Sequence, residues 1–241
     1  MYRSLFASLG ERQSPINVIT EDVIFDPDIC KPSSMKFNYH EGDCHELVAL
    51  PSTWMLRTND QCKSSLTASH LSGEFRLLQV HGHWGETAEG GSEHAIDSRR
   101  YSSEIHFAFW NTNYQLDDAA YHGDGMAVVA VLLTEGKHNK HYAHISDAIP
   151  EAVEKDTPVE ISTSLDVASL MPLGSDYLYY EGSLTTPPYS QCVLWTIMLE
   201  PVEVSSSQLE QFRRIGVNAN CREVQPLCGR HIFSSCKMPK S

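Results

Sequence analysis

Short alternations of apolar and polar residues recur along this chain, and helix-period stretches are few. In Ser103-Glu104-Ile105-His106-Phe107-Ala108-Phe109-Trp110, the apolar Ile105, Phe107 and Phe109 alternate with Glu104, His106 and Ala108, which predicts a half-buried strand. Residues 126–133 are apolar throughout and predict a fully buried strand. Shorter strand-like runs lie at 46–50 and 53–57, and another strand is expected over 76–84. A helix is expected from about Tyr142 to Val153, with Pro158 stopping anything longer. A second is expected near Ser207, where Ser207 and Glu210 fit the capping-box spacing ahead of Phe212. Residues 1–35 read as irregular, broken by Pro15, Pro27 and Pro32, and residues 111–125 read as a polar loop. No repeat, low-complexity tract or linker divides the chain. The expectation is a mainly β (α+β) protein with few helices, forming one domain over residues 1–241.

The strand predicted over 76–84 carries the most informative chemistry. Side chains two apart on a strand share a face, so His81 and His83 point the same way, with Gln79 behind them. Two imidazoles on one rigid element suit a metal, and zinc in a catalytic site takes a third protein ligand plus an open position. His106 is the third candidate. Glu104 shares its face and can orient its ring. The same spacing also fits packed core histidines, so it suggests a metal without naming a reaction. His138, His141 and His144 form a second group, three apart, which a helix would place on one side. Lys137, Asn139 and Lys140 around them read as a solvated surface, and the orienting carboxylates of a metal site are missing nearby.

Composition narrows the classes. With 41% hydrophobic residues over 241 positions, a sizeable core is expected. The formal charge of −13 argues against nucleic-acid or anionic-membrane partners. No apolar run reaches membrane-spanning length, and neither a signal core nor a lipid anchor is indicated at the ends. Seven cysteines, at 30, 44, 62, 192, 221, 228 and 236, form no C-x-x-C pair, and no glycosylation sequon is present. Free thiols in a reducing compartment, hence a cytoplasmic protein, are the simplest reading. A secreted form with some disulfides is the alternative.

Three further segments give the metal strands a context: Gln13-Ser14-Pro15-Ile16-Asn17, Gly91-Ser92-Glu93-His94 and Ser183-Leu184-Thr185-Thr186-Pro187-Pro188. Together with Gln79-Val80-His81-Gly82-His83-Trp84-Gly85, Glu104-Ile105-His106 and Val224-Gln225-Pro226-Leu227, they resemble the α-class carbonic anhydrases in order and spacing, from about Gly10 to Ile232. The resemblance implies a large twisted, mostly antiparallel sheet with a zinc at the base of a conical cleft. It implies His81, His83 and His106 as the zinc ligands, with Gln79 behind His81 and Glu104 behind His106. It also implies reversible hydration of carbon dioxide to bicarbonate and a proton, by hydroxide formed at the zinc. Thr185 would accept that hydroxide's hydrogen bond and pass its own proton to Glu93, which aims the nucleophile. Ala108, Val128, Leu184, Thr186, Val193 and Trp195 would line the substrate pocket. A monomer inhibited by sulfonamides is expected, with ester hydrolysis as a side activity.

Two departures stand out. The chain starts twelve residues before Gln13, so the family's cleft tyrosine has no counterpart. Fast members also use a cleft histidine as proton shuttle, and the matching stretch, Leu50-Pro51-Ser52-Thr53-Trp54, has none; His45 is the nearest in sequence. No shuttle is identified, and turnover limited by proton transfer is expected. The competing reading is a catalytically silent, carbonic-anhydrase-like binding module. Retention of all three histidines, Glu93 and Thr185 favours the enzyme.

Overall fold

The computed structural model describes residues 10–239. The first nine positions of the expected irregular N-terminal stretch lie outside the described residues. The strands are β1 (Asn17–Val18), β2 (Ile24–Phe25), β3 (Lys36–Asn38), β4 (Cys44–Ala49), β5 (Trp54–Thr58) and β6 (Ser65–Thr67). They continue as β7 (Phe75–Trp84), β8 (Ala95–Ile96), β9 (Ser103–Asn111), β10 (Met126–Glu135) and β11 (Val159–Glu160). The last are β12 (Tyr177–Gly182), β13 (Val193–Met198), β14 (Val202–Val204) and β15 (Phe233–Ser234). Apart from the small β1–β8 pair, these strands form a 13-stranded sheet whose main path runs β11-β4-β5-β7-β9-β10-β13-β12-β15-β2. Its pairs are antiparallel along that path except β10–β13 and β15–β2, and β14 joins β10 in parallel. The expected mainly β architecture is the one observed.

The sheet is buried on both faces at its centre, which explains the unbroken apolar run of β10. Ala127, Val129, Val131 and Leu133 enter one core with Val80, Ile105, Phe107 and Phe109. Met126, Val128, Ala130 and Leu132 enter another with Ala108, Val193, Trp195 and Ile197. Each fully buried branched side chain contributes about 1.5–3 kcal/mol of transfer free energy. The central strands are therefore held from two sides.

The α-helices among the described residues are α1 (Leu116–Ala119), α2 (Lys140–Ser146), α3 (Ile149–Lys155) and α4 (Ser206–Arg213). Two expectations need correction. The helix anticipated over 142–153 is two helices, broken around Asp147 and Ala148. Pro150 is the cause: in mid-helix it would lose a backbone hydrogen bond and clash with the preceding turn, whereas the first turn of α3 accommodates it. The capping box also lies two residues earlier than expected, on Ser205 and Gln208. The Gln208 side chain additionally holds both the N–H and the carbonyl of Asn139, at 2.9 and 2.8 Å, which ties α4 to the start of α2. The polar loop at 111–125 contains the one-turn helix α1, and residues 10–35 contain β1, β2 and two single 3-10 turns.

Candidate metal centre

Alternation along β7 sends Gln79, His81 and His83 to one face, and Val80, Gly82 and Trp84 to the other. Antiparallel register then sets His81 directly opposite His106 on β9. The three imidazoles converge, with ring centroids 5.1 Å (His81–His83), 5.2 Å (His81–His106) and 4.5 Å (His83–His106) apart. Ring nitrogens of all three lie within 4.8 Å of one another. His83 and His106 are buried and His81 is partly exposed.

Acceptor-only groups fix two of the ring tautomers. His106 Nε2 donates to Glu104 Oε1 at 2.7 Å, which leaves Nδ1 as its lone-pair nitrogen. His83 Nδ1 donates to the Asn220 carbonyl at 3.1 Å, and its Nε2 is buried without a partner. A buried imidazole nitrogen left without a hydrogen bond is costly, and a metal ion satisfies it. Gln79 differs from the expectation, since its Oε1 and the Nδ1 of His81 are both buried and both unpartnered. Burial, then the neighbouring His83 and His106, hold the His81 imidazole well below its usual pKa. Burial also lowers His106, with His83 adding to it against Glu104. Both rings are thus neutral, the form that binds metal. The donor set, three imidazoles on rigid strands, fits zinc.

Glu104 does more than the sequence suggested. Besides His106, it accepts from the backbone N–H of His94 at 2.8 Å and from His94 Nδ1 at 2.7 Å. Burial alone would raise its carboxyl, but the His94 charge and the hydrogen bonds from His106 and His94 carry it well below the usual range. His94 Nε2 meets the Tyr180 hydroxyl at 2.7 Å, and that hydroxyl donates to Ser14 Oγ at 2.8 Å. A buried chain therefore runs from His106 to the Gln13-Ser14-Pro15 segment. His94, Glu104 and His106 also cluster closely enough for a metal, but their atoms already bond one another.

Glu93, 1% exposed, accepts the Arg222 N–H on Oε1 at 2.8 Å, while Oε2, 4.0 Å from His106 Nε2, has no hydrogen-bond partner. Among the described residues no donor reaches Glu93 Oε2, so the expected Thr185–Glu93 hydrogen bond is not formed. Thr185 is buried and Thr186 exposed. In register across the sheet stand Gln79, Ala108, Val128 and Trp195. Ala108, Val128, Val193 and Trp195 share one apolar cluster with Leu184 packed against it. The Trp195 ring lies edge-on to His106 at 4.8 Å. Sequence reading gave no role to Asn220 or Tyr180. Asn220 holds the His83 ring through its carbonyl and the β7 backbone through its side-chain amide, but it is a single asparagine far along the chain and belongs to no motif.

In the other histidine group, α2 begins at Lys140, so His138 precedes the helix, on the far side of the capping Asn139. His141 Nδ1 meets Ser169 Oγ at 2.9 Å. His138 and His144 line different surface hollows.

Comparison with known proteins agrees with this geometry. A family model for eukaryotic-type carbonic anhydrase matches residues 4–236. The chain is similar to mitochondrial carbonic anhydrase 5B of Mus musculus, at 38% identity over 239 residues, covering 94% of this chain and 74% of that protein. Mitochondrial carbonic anhydrase 5A of Rattus norvegicus is 36% identical over 245 residues (96% and 79%), and carbonic anhydrase 1 of Oryctolagus cuniculus 34% over 238 (94% and 100%). The mitochondrial names among these relatives overturn the expectation of a cytoplasmic protein. No helix among the described residues is long and apolar enough to cross a membrane. With the family match spanning nearly the whole chain, the chain belongs to the eukaryotic-type carbonic anhydrases, a zinc-dependent family, and it carries a cluster of three imidazoles that could hold a metal.

Proposed function

We propose that this chain catalyses the reversible hydration of carbon dioxide to bicarbonate and a proton, with one zinc held by His81, His83 and His106. The observation that carries the reading is the convergence of three imidazole rings with ring nitrogens within 4.8 Å, two of them oriented by fixed acceptors. When bound, zinc supplies a Lewis acid that ionises water near neutral pH, as is known for the carbonic anhydrases as a class. Glu104 and the Asn220 carbonyl hold the ligand rings in position and keep their lone pairs aimed inward. Glu93 Oε2, buried and without a donor, supports a role as acceptor for the Thr185 hydroxyl. That bond would leave Thr185 able only to accept from the nucleophile, which orients it. Ala108, Val128, Val193 and Trp195, with Leu184, form the dry wall that an apolar substrate needs, and Thr186 stands exposed beside Thr185.

On this reading proton export limits turnover. Leu50 to Trp54 offers no imidazole, and His45 Nε2 lies 3.6 Å from Glu46 Oε1. One domain follows from the same reading, supported by a sheet that draws strands from Ile24 through Ser234, and a monomer is expected of it. A mitochondrial location follows from the relatives' names, and organelle fractionation tests it. The direct test of activity is stopped-flow carbon dioxide hydration by the zinc-loaded chain, before and after chelation. Sulfonamide-sensitive turnover that vanishes with the metal supports the proposal. Zinc retained without turnover would leave a silent binding module instead.

A further inference from the structure

Between the two histidines of β7 sits Gly82, and its surroundings are unusually tight. We propose that Gly82 and Trp54 form a positioning pair that sets the placement of His81 and His83; the inference rests on the zinc reading above. Gly82 faces the side of the sheet opposite the imidazoles. There the Trp54 indole lies flush against the glycine. A methyl group at position 82 would stand 2.7 Å from Trp54 Cζ2, 2.8 Å from Cε2 and 2.9 Å from Nε1. Ordinary contact begins at 3.4 Å, so strand and indole would have to part by about 0.7 Å. Trp54 has nowhere to go, since it is fully buried and the Phe212 ring lies 5.4 Å from it. The displacement would therefore fall on the strand, toward the histidine face.

The backbone of Gly82 is also pinned. Its carbonyl accepts from Thr53 Oγ1 at 2.6 Å and from Asn220 Nδ2 at 2.9 Å. The N–H of Trp84 donates to Asn220 Oδ1 at 2.7 Å, and the Asn220 carbonyl takes the His83 ring. Thr53 is the immediate neighbour of Trp54, so one short segment contacts Gly82 both by hydrogen bond and by packing. Trp54 Nε1 is buried without a partner, so no polar anchor holds the ring and shape alone seats it. Metal–ligand distances tolerate only about ±0.2 Å. A shift of several times that amount, in the residue joining two ligands, must register in metal affinity.

The test is zinc affinity by chelator competition on the full chain, alongside melting of the metal-free protein, for wild type, Gly82→Ala, Trp54→Phe and the double variant. Gly82→Ala should weaken zinc binding by about 10–100-fold, the range for loss of a ligand-orienting partner. Trp54→Phe, which withdraws the backing ring, should weaken it by about tenfold, the low end of that range. The double variant should bind zinc more tightly than either single one, because the smaller ring makes room for the methyl. That rescue distinguishes positioning from loss of stability, and it can be read against Trp54→Phe even if Gly82→Ala fails to fold. Lower melting temperatures with unchanged zinc affinity, or no rescue, would overturn the proposal. A wild-type chain that takes up no zinc would overturn the metal reading itself, which is a different result.

Discussion

His81, His83 and His106 meet at one point, whereas His138, His141 and His144 do not, although the second group has the more regular spacing in sequence. The difference lies in what holds each ring. The first group stands on β7 and β9 at the centre of a sheet buried on both faces, and Glu104 and the Asn220 carbonyl fix two of the rings. The second group straddles the capped start of a seven-residue helix, and His141 is taken by a serine hydroxyl. Spacing offers ligands; a rigid support and an acceptor behind the ring make a site.

The largest effect should come from removing a ligand. His83→Ala should cost more than the 10–100-fold expected for an orienting partner, abolishing zinc retention and hydration, while His141→Ala should change neither. Metal analysis and stopped-flow rates on both variants check this. Equal losses would erase the contrast. Next comes Glu104→Gln, which keeps the shape but loses the carboxylate that serves His106 and His94. Zinc affinity should fall about 10–100-fold, measured by chelator competition, with the apoprotein still folded.

His70 sharpens the contrast from another direction, because it too is held by hydrogen bonds yet serves no metal. Its nitrogens meet the Tyr177 hydroxyl at 3.0 Å and Thr196 Oγ1 at 2.7 Å. Burial pulls its pKa down to about 4 from 6.5. Because the unfolded chain takes up this proton first, stability tied to neutral His70 is present above pH 6.5 and is lost as pH falls toward 4. The loss by pH 5 should be about 2 kcal/mol, an order-of-magnitude figure, and His70→Gln should flatten that part of the curve. Denaturant unfolding from pH 7 to 5 measures it, and an unchanged slope would show that His70 contributes no such linkage. The smallest effect is a gain: imidazole buffer should raise turnover several-fold if the lack of a cleft histidine limits proton export. Unchanged turnover in concentrated imidazole would mean that proton transfer is not limiting.

Much of this was legible in the sequence, for definite reasons. Period-two alternation placed β9, the paired histidines of 76–84 were expected on a strand, and the unbroken run at 126–133 marked the doubly buried β10. Local signals misled where two features competed. Pro150 splits a helix whose apolar pattern continues across it, and Ser205 with Gln208 outcompetes Ser207 with Glu210 because Gln208 also anchors Asn139. The site was readable where side chains stand in recognisable motifs. It was opaque at Asn220 and Tyr180, which belong to no motif, and at Gly82, whose importance lies in having no side chain to meet Trp54. Free cysteines suggested a reducing compartment but could not say which one.

The most direct test of the account is to locate zinc in crystals of the loaded protein by anomalous scattering. The expected result is one ion per chain, bound by nitrogens of His81, His83 and His106 at about 2.0–2.1 Å. Zinc bound instead at the His138–His144 surface, or absent from the three sheet histidines, would contradict it.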